Sequence, residues 1–286
     1  MNIEVKNLQF AYGTKQVLNI SHTKFEQGKI YGIVGKNGVG KTTFFKTLTN
    51  IITNYTGEVL INGMSVKENP KTLAKVGIVL DDMELYKNQT GMFNIRYFGG
   101  LRGGFNEEQA MSFAHQLEIA DSLDKTVSHY SLGMAKKLIL LISVINDAET
   151  LIFDEPFRGL DSKSVNWFKN HLLSLRDKGR TILISSHIQD DIESLSDKVF
   201  VLHNGNFNHT FDLKNTTSHI YSVEVSDKIA FIALLQNKGI PFEEQGKFIK
   251  FEINDELYKE LFRQTIAREI EFLQIKKENK YVELIK

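Results

Sequence analysis

The glycine-rich run Gly35-Lys36-Asn37-Gly38-Val39-Gly40-Lys41-Thr42 organises the N-terminal part of this chain. An apolar strand pattern over residues 29–34 precedes it, and apolar side chains recur at helical spacing over residues 42–52. Such a turn directs main-chain N–H groups at an anion, and the following helix adds its positive N-terminus. The pattern predicts a nucleotide site formed by this run and Thr43. Lys41 would reach the β- and γ-phosphates, and Thr42 would ligate Mg²⁺.

A second apolar strand pattern ends in two carboxylates further along the chain. Residues 151–153 are apolar, and Asp154 and Glu155 follow them directly. Strands of one parallel sheet end at a common edge, so we expect Asp154 beside the phosphate loop, holding the metal directly or through water. Glu155 is then placed to orient the water that attacks the γ-phosphate. Together the two motifs predict binding and hydrolysis of ATP or GTP with Mg²⁺ as cofactor.

A third motif lies between these two. It reads Tyr130-Ser131-Leu132-Gly133-Met134-Ala135-Lys136-Lys137 and leads into an apolar helix pattern over residues 138–145. With this segment, residues 1 to about 212 resemble the ATP-binding subunit of an ABC transporter. The resemblance implies that Ser131 and Gly133 cap the γ-phosphate of the nucleotide held by an opposing subunit, so catalysis would need a dimer. The alternative is that Ser131 is an ordinary N-cap before an apolar helix.

The resemblance implies roles for three further residues. Tyr12 matches the aromatic residue that stacks on adenine, which favours ATP over GTP. His187 follows the apolar strand pattern of residues 181–186 and matches the histidine that contacts the γ-phosphate and the attacking water. Asp161 ends a Gly-Leu-Asp segment that faces across the dimer in this family. We therefore expect Glu155 and His187 to be the catalytic pair.

One position departs from the family pattern. After the strand pattern of residues 76–80, the family usually has a glutamine that touches the metal and the water, whereas this chain has Asp81. A carboxylate is a hard oxygen ligand, so we predict Asp81 as a metal ligand beside Thr42 and Asp154. It also adds negative charge near phosphates, and it favours an asymmetric pair of ATPase subunits. The alternative is that Asp81 and Asp82 form a solvated acidic turn.

The composition of the chain indicates the cellular compartment in which it functions. The 286 residues include 35 basic and 35 acidic side chains, so no global field favours nucleic acid. No run approaches the roughly 18 apolar residues that cross a bilayer, and the N-terminus lacks a signal-peptide pattern. The chain has no cysteine, which fits a reducing compartment. These features predict a cytoplasmic protein, and the resemblance adds a peripheral position on the inner face of the cell membrane.

The order of elements predicts an α/β fold in two domains. Residues 1–212 would form a P-loop ABC-type nucleotide-binding domain with a β-rich subdomain and a helical insert at about 85–137. The resemblance implies that aromatic residues over 93–98 lie near a groove for the membrane subunit, and the alternative is that they form the insert's own core. Residues 218–286 read β-α-β-β-α-β, which is typical of a small ferredoxin-like accessory domain. Its last hairpin would join strands at 270–275 and 281–285.

The function that these motifs favour is ATP hydrolysis that powers export through separate integral membrane permease subunits. The resemblance suggests a drug or an amphipathic peptide as cargo, such as an antimicrobial peptide or a phenol-soluble modulin. An importer subunit and a soluble ABC-type regulatory ATPase acting on ribosomes or DNA are alternatives. A kinase with a phosphate loop would not need Ser131 or His187. The sequence leaves open whether the dimer is homomeric or pairs with a second ATPase subunit.

Overall fold

The computed structural model of the chain describes residues 2–101, 103–214 and 218–285. It divides into two compact units, Met1–Thr210 and Phe211–Lys286. The first unit contains an antiparallel sheet, a mainly parallel sheet and a group of helices, whereas the second is a small α+β unit. Each unit has its own hydrophobic core.

The antiparallel sheet of the first unit forms because its strands carry buried apolar residues between exposed polar ones. Ile3, Val5 and Phe10 of the first strand are buried, for example. A register shift between Phe10 and Ala11 precedes Tyr12, which ends this strand and stays 56% exposed. In spatial order β2-β1-β4-β5, the strands are β1 (Ile3–Tyr12), β2 (Lys15–Phe25), β4 (Thr56–Ile61) and β5 (Met64–Ser65).

The second sheet supplies the edge at which the site is built. In spatial order β10-β9-β3-β8-β7-β6, its strands are β3 (Ile30–Val34), β6 (Val76–Val79), β7 (Thr150–Asp154), β8 (Thr181–Ser185), β9 (Lys198–His203) and β10 (Asn206–Asp212). Every residue of β3, β7 and β8 is buried, as expected for parallel strands covered on both faces. The strands β6, β7, β8, β3 and β9 run parallel, so their C-terminal ends meet at one edge. Ligands bind at such an edge in open α/β sheets.

Six α-helices connect the strands of the first unit in the part of the chain that is described. They are α1 (Lys41–Leu48), α2 (Gly91–Gly100), α3 (Glu107–Gln116), α4 (Leu132–Val144), α5 (Ser162–Asp177) and α6 (Gln189–Leu195). The helices α2, α3 and α4 pack around a separate apolar cluster that includes Ile95, Ala114 and Leu138. The aromatic side chains of Phe93 and Tyr97 are about 40% exposed on α2.

The second unit has the ferredoxin-like order predicted from the sequence. Its elements are β11 (Ser218–Val225), α7 (Lys228–Asn237), β12 (Phe242–Gln245), β13 (Phe248–Asn254), α8 (Asp255–Ala267), β14 (Phe272–Glu278) and α9 (Tyr281–Ile285). The strands pair antiparallel in the order β12-β13-β11-β14. Residues of α7 and α8 share a core with this sheet, including Phe231, Leu261 and Phe251. The predicted α/β fold with a small α+β unit is therefore confirmed.

The last predicted hairpin is wrong. Residues 281–285 form the helix α9 instead of a strand, and the strand before it continues to Glu278. The turn closes locally, because the Val282 N–H donates to the Asn279 carbonyl oxygen at 3.0 Å. Tyr281 and Val282 are buried. A short apolar run has no periodicity that separates a buried strand from one turn of buried helix, which explains the error.

Across the described ranges, none of the helices combines enough length with enough apolar character to cross a membrane.

Candidate functional site

The phosphate loop links β3 to α1 and needs glycine where the backbone is crowded or left-handed. A side chain at Gly35 would place its Cβ 2.5 Å from the Leu202 carbonyl oxygen. Gly40 is the N-cap of α1 with φ +113°, and a Cβ there would lie 2.8 Å from Val17. Only glycine adopts such a conformation without strain. The loop therefore brings its backbone close to β2 and β9 and still presents the N-terminus of α1.

Lys41, the first residue of α1, curls back over the loop. Its Nζ donates to the Gly35 carbonyl oxygen at 2.8 Å and to the Lys36 carbonyl oxygen at 3.4 Å. Burial lowers the pKa of the Lys41 ammonium, while the carboxylates of Glu155 and Asp154 act in the opposite direction. The loop thus holds a partly buried positive charge where a phosphate is expected.

Asp154 ends β7 beside the phosphate loop. The Thr42 hydroxyl donates to Asp154 Oδ2, and the Ser185 hydroxyl donates to Oδ1 at 2.5 Å. Asp154 is only 2% exposed, and Ser185 at the end of β8 is fully buried. Both carboxylate oxygens therefore have fixed positions. The Thr42 and Asp154 oxygens in contact are hard donors of the kind that Mg²⁺ prefers, so these residues fit that ion.

Glu155 follows Asp154 in a left-handed backbone conformation, with φ 49°. Non-glycine residues in this region are strained and concentrate at functional sites. The Glu155 N–H donates to the carbonyl oxygen and the hydroxyl of Ser185, at 3.2 and 3.1 Å. Its side chain meets His187, with 2.8 Å between Oε2 and Nδ1, and the His187 backbone N–H donates to the same oxygen at 3.3 Å. The structure thus brings the two predicted catalytic residues into direct contact.

An open cavity of about 620 Å³ joins these groups. It contains predicted residues from every motif at this edge and three others, Lys15, Val17 and Arg158. Its full lining is Tyr12, Lys15, Val17, Asn37, Gly38, Gly40, Lys41, Thr42, Thr43, Asp81, Asp154, Glu155, Arg158 and His187. A cavity with convergent polar groups is the default candidate for a binding site.

Asp81 lies in this cavity within an ion-pair group. Its Oδ2 is 3.1 Å from Arg158 Nη1, and its Oδ1 is 3.7 Å from Lys136 Nζ. The neighbouring Asp82 pairs with Lys46 on α1 at 2.6 Å. The predicted acidic turn is thus tied to α1, α4 and the loop after β7.

Ser131, Gly133 and Asp161 do not line the cavity. The Ser131 hydroxyl accepts a hydrogen bond from the Met134 N–H at 3.2 Å, so it does cap α4. Gly133 lies against the loop after β7, because a Cβ there would be 3.2 Å from the Gly159 carbonyl oxygen. These residues therefore form a second polar surface outside the phosphate cavity.

Asp161 is the N-cap of α5 and pairs with a lysine of α4. Lys137 Nζ lies 2.7 Å from its Oδ2, and its carboxylate accepts from the Ser164 N–H at 2.8 Å. These interactions, with the Lys137 ammonium first, hold the pKa of Asp161 far below its ordinary value. Asp161 is therefore a fixed anion between α4 and α5.

Sequence reasoning missed Ser185, Lys15 and Arg158. Ser185 contacts the Asp154 carboxylate and the Glu155 backbone N–H, and its signal was its place at the end of the strand that precedes His187. Lys15 follows Tyr12 closely, and Arg158 lies between Glu155 and Asp161. Each was flanked by residues that the sequence did identify.

Comparisons with known proteins identify relatives of the chain. The family model described as ABC transporter matches residues 18–158. An uncharacterised ABC transporter ATP-binding protein of Methanocaldococcus jannaschii is 31% identical over 261 residues, which cover 88% of this chain and 92% of the relative. The bacitracin transport ATP-binding protein of Enterococcus faecalis is 36% identical over 205 residues, 71% of this chain and 67% of that protein. The lantibiotic transport ATP-binding protein of Streptococcus pyogenes is 30% identical over 203 residues, 71% and 87% of the two chains.

A solved ATP-binding subunit of an ABC transporter has the same fold. It is 23% identical, with a TM-score of 0.69 over 92% of this chain and all of its own. A P-loop site on a parallel sheet, with Asp154 and Glu155 at the strand end, defines a P-loop ATPase. The chain belongs to the ABC transporter family, as an ATP-binding subunit.

Proposed function

We propose that this subunit hydrolyses Mg-ATP at a dimer interface and thereby drives export of an amphipathic peptide or drug through separate membrane permease subunits. The contact between Glu155 and His187, in a cavity that also holds Thr42 and Asp154, carries the proposal. It supports hydrolysis because a site for nucleotide binding alone does not need a paired carboxylate and imidazole.

Different residues of the cavity bind the adenine, the phosphates and Mg²⁺. Tyr12 has an exposed ring that stacks on adenine, and its edge-to-face contact with Phe10, with centroids 4.7 Å apart, holds that ring in place. Main-chain N–H groups over residues 35–43 and the Lys41 ammonium bind the phosphates. Thr42 and Asp154 hold Mg²⁺, which neutralises charge on the phosphate oxygens. Asp81 stays a predicted further ligand, and its two oxygens face Arg158 and Lys136.

Glu155 and His187 act on the attacking water. Both contacts from His187 use Oε2 of Glu155, so Oε1 is the oxygen positioned to accept from a water. The left-handed conformation and the two hydrogen bonds from its N–H to Ser185 fix the Glu155 backbone, and the contacts with His187 hold its Oε2. The imidazole is 57% exposed, so it can also donate to the γ-phosphate. Orientation of this kind is the main contribution of proteins to phosphoryl transfer.

The proposal of a dimer rests on three predicted residues that lie outside the cavity. Ser131, Gly133 and Asp161 lie on a separate surface, so we propose that they complete the site of an opposing subunit. The first turn of α4 is exposed there, with Leu132 82% accessible. A homodimer and a pair with a second ATPase subunit both satisfy this geometry.

The cargo proposal rests on relatives. Similar proteins are named for transport of bacitracin and of a lantibiotic, and one from Bacillus subtilis for linearmycin resistance. We propose a cargo of the same amphipathic class and a peripheral position on the inner face of the cell membrane. In the organism that makes this chain, Glu155→Gln should sensitise growth to at least one such peptide or drug. Unchanged sensitivity to all of them would refute the cargo assignment.

Hydrolysis is tested with the purified chain over a concentration series. We expect the rate per chain to rise steeply with concentration, because two subunits form each site. Glu155→Gln should keep ATP binding, lower the turnover at least about 100-fold and give an ATP-dependent dimer on size-exclusion chromatography. The control is Glu107→Gln, an exposed helix residue outside the cavity, which should behave as wild type. A chain that binds ATP but stays monomeric and inactive at every concentration would disprove the self-sufficient homodimer.

A further inference from the structure

The Asp81 carboxylate lies in a cavity built for phosphates, and two cations offset its charge. Arg158 Nη1 lies 3.1 Å from one oxygen, and Lys136 Nζ lies 3.7 Å from the other. Lys136 is a nearly buried residue of α4, whereas Arg158 is two-thirds exposed and lines the cavity. Lys136 is therefore a fixed partner of Asp81, while the Arg158 guanidinium stays accessible to a ligand.

Arg158 is near the reacting end of the nucleotide. It belongs to the same short loop as Glu155, three residues further along, and that loop leaves the end of β7. Glu155 and His187 act at the γ-phosphate in the proposed function, and they share the cavity with Arg158. A guanidinium has five N–H donors in a fixed plane, so the pair with Asp81 leaves donors for phosphate oxygens.

We propose that Arg158 binds the γ-phosphate and that Asp81 orients its guanidinium, so that this pair makes the site prefer ATP to ADP. The inference rests on the proposed ATPase function and adds a specificity-determining residue to it. ADP has no γ-phosphate, so loss of Arg158 weakens ATP binding and leaves ADP binding almost unchanged.

The test measures dissociation constants for Mg-ATP and Mg-ADP by calorimetry on the full chain carrying Glu155→Gln, which prevents turnover. We expect Arg158→Ala to weaken ATP binding roughly fivefold, the upper end for an exposed ion pair, and to change ADP binding less than about twofold. Arg158→Lys should recover part of the ATP preference. The matched control is Arg96→Ala, because Arg96 is an exposed arginine that is paired with Glu107 at 2.6 Å and does not line the cavity. It should change neither constant.

The double variant Asp81→Asn/Arg158→Ala separates binding from simple screening. If Arg158 contacts the γ-phosphate, the double variant still has a reduced ATP preference. If Arg158 only screens Asp81, neutralising Asp81 restores that preference, and the inference is overturned. A parent chain that binds no Mg-ATP would refute the proposed site itself. A parent that binds ATP while Arg158→Ala keeps the same ATP to ADP ratio would refute this inference alone.

Discussion

Replacement of Ser185 by alanine should damage stability and catalysis together, because one hydroxyl holds the Asp154 carboxylate and the backbone of Glu155. The fully buried Ser185 Oγ donates to Asp154 Oδ1 at 2.5 Å and accepts from the Glu155 N–H at 3.1 Å. A hydrogen bond to a charged group contributes about 1.5–3 kcal/mol. The Glu155 N–H keeps a second acceptor, the Ser185 carbonyl oxygen, so the loss of its hydrogen bond to the hydroxyl contributes little to the change in stability. We expect Ser185→Ala to lower the free energy of unfolding by about 2 kcal/mol.

Urea unfolding followed by tryptophan fluorescence measures this change. The chain has a single tryptophan, Trp167 on α5, so the signal reports the first unit. Ser143→Ala is the matched control, because Ser143 is also buried but donates at 2.6 Å to a neutral helix carbonyl, that of Leu140. Its cost should be about 1 kcal/mol or less. Turnover of Ser185→Ala should fall roughly 10-fold or more, with KM nearly constant, because the Asp154 carboxylate loses the donor that holds Oδ1 in place. Equal stability and equal turnover in the two variants would refute this reasoning.

Two further predictions concern residues outside the cavity. Gly133→Ala should leave the unfolding free energy within about 1 kcal/mol of wild type, because its Cβ would lie 3.2 Å from the Gly159 carbonyl oxygen and 4.0 Å from the Ser131 hydroxyl. The same substitution should abolish ATP-dependent dimerisation. Gly100→Ala, whose Cβ points into open space, should change neither stability nor dimerisation. His171 is kept neutral by burial, which lowers its pKa to about 4, so its contribution is complete above pH 6.5 and is lost as pH falls towards 4. In His171→Gln the free energy of unfolding, measured by urea unfolding, should fall less between pH 7 and pH 5 than in wild type, by up to about 2 kcal/mol.

Local patterns were enough for the phosphate loop and for the carboxylates after β7. The glycine spacing over residues 35–40 and the strand and helix patterns on either side of it identify the phosphate loop, although the crowding of Gly35 and Gly40 comes from the distant residues Leu202 and Val17. An apolar run ending in Asp154 and Glu155 marks a strand end. The same holds for the ferredoxin-like order, because its strands and helices have clear periods. Predictions of this type succeed when the sequence pattern that identifies a feature lies within one element or its neighbours in the chain.

The missed features depend on where separate strands end. Ser185 matters because β7 and β8 are adjacent and in register, so that Asp154 is paired with Ser185. Arg158 matters because β6 lies beside β7, which brings Asp81 within ion-pair distance. The local sequence does not show that β7 lies beside β8 or that β6 lies beside β7. The error at residues 281–285 is of another kind, because five residues are too few to reveal a period.

Two successive lysines of α4 restrict how this helix can move. Side chains of adjacent helical residues project about 100° apart. Lys136 reaches Asp81 after β6, and Lys137 reaches Asp161 at the start of α5. Rotation of α4 about its own axis would lengthen at least one of these ion pairs. The two ion pairs therefore oppose rotation of α4 about its own axis. A force applied to the helix translates or tilts it, and this movement reaches both loops at once.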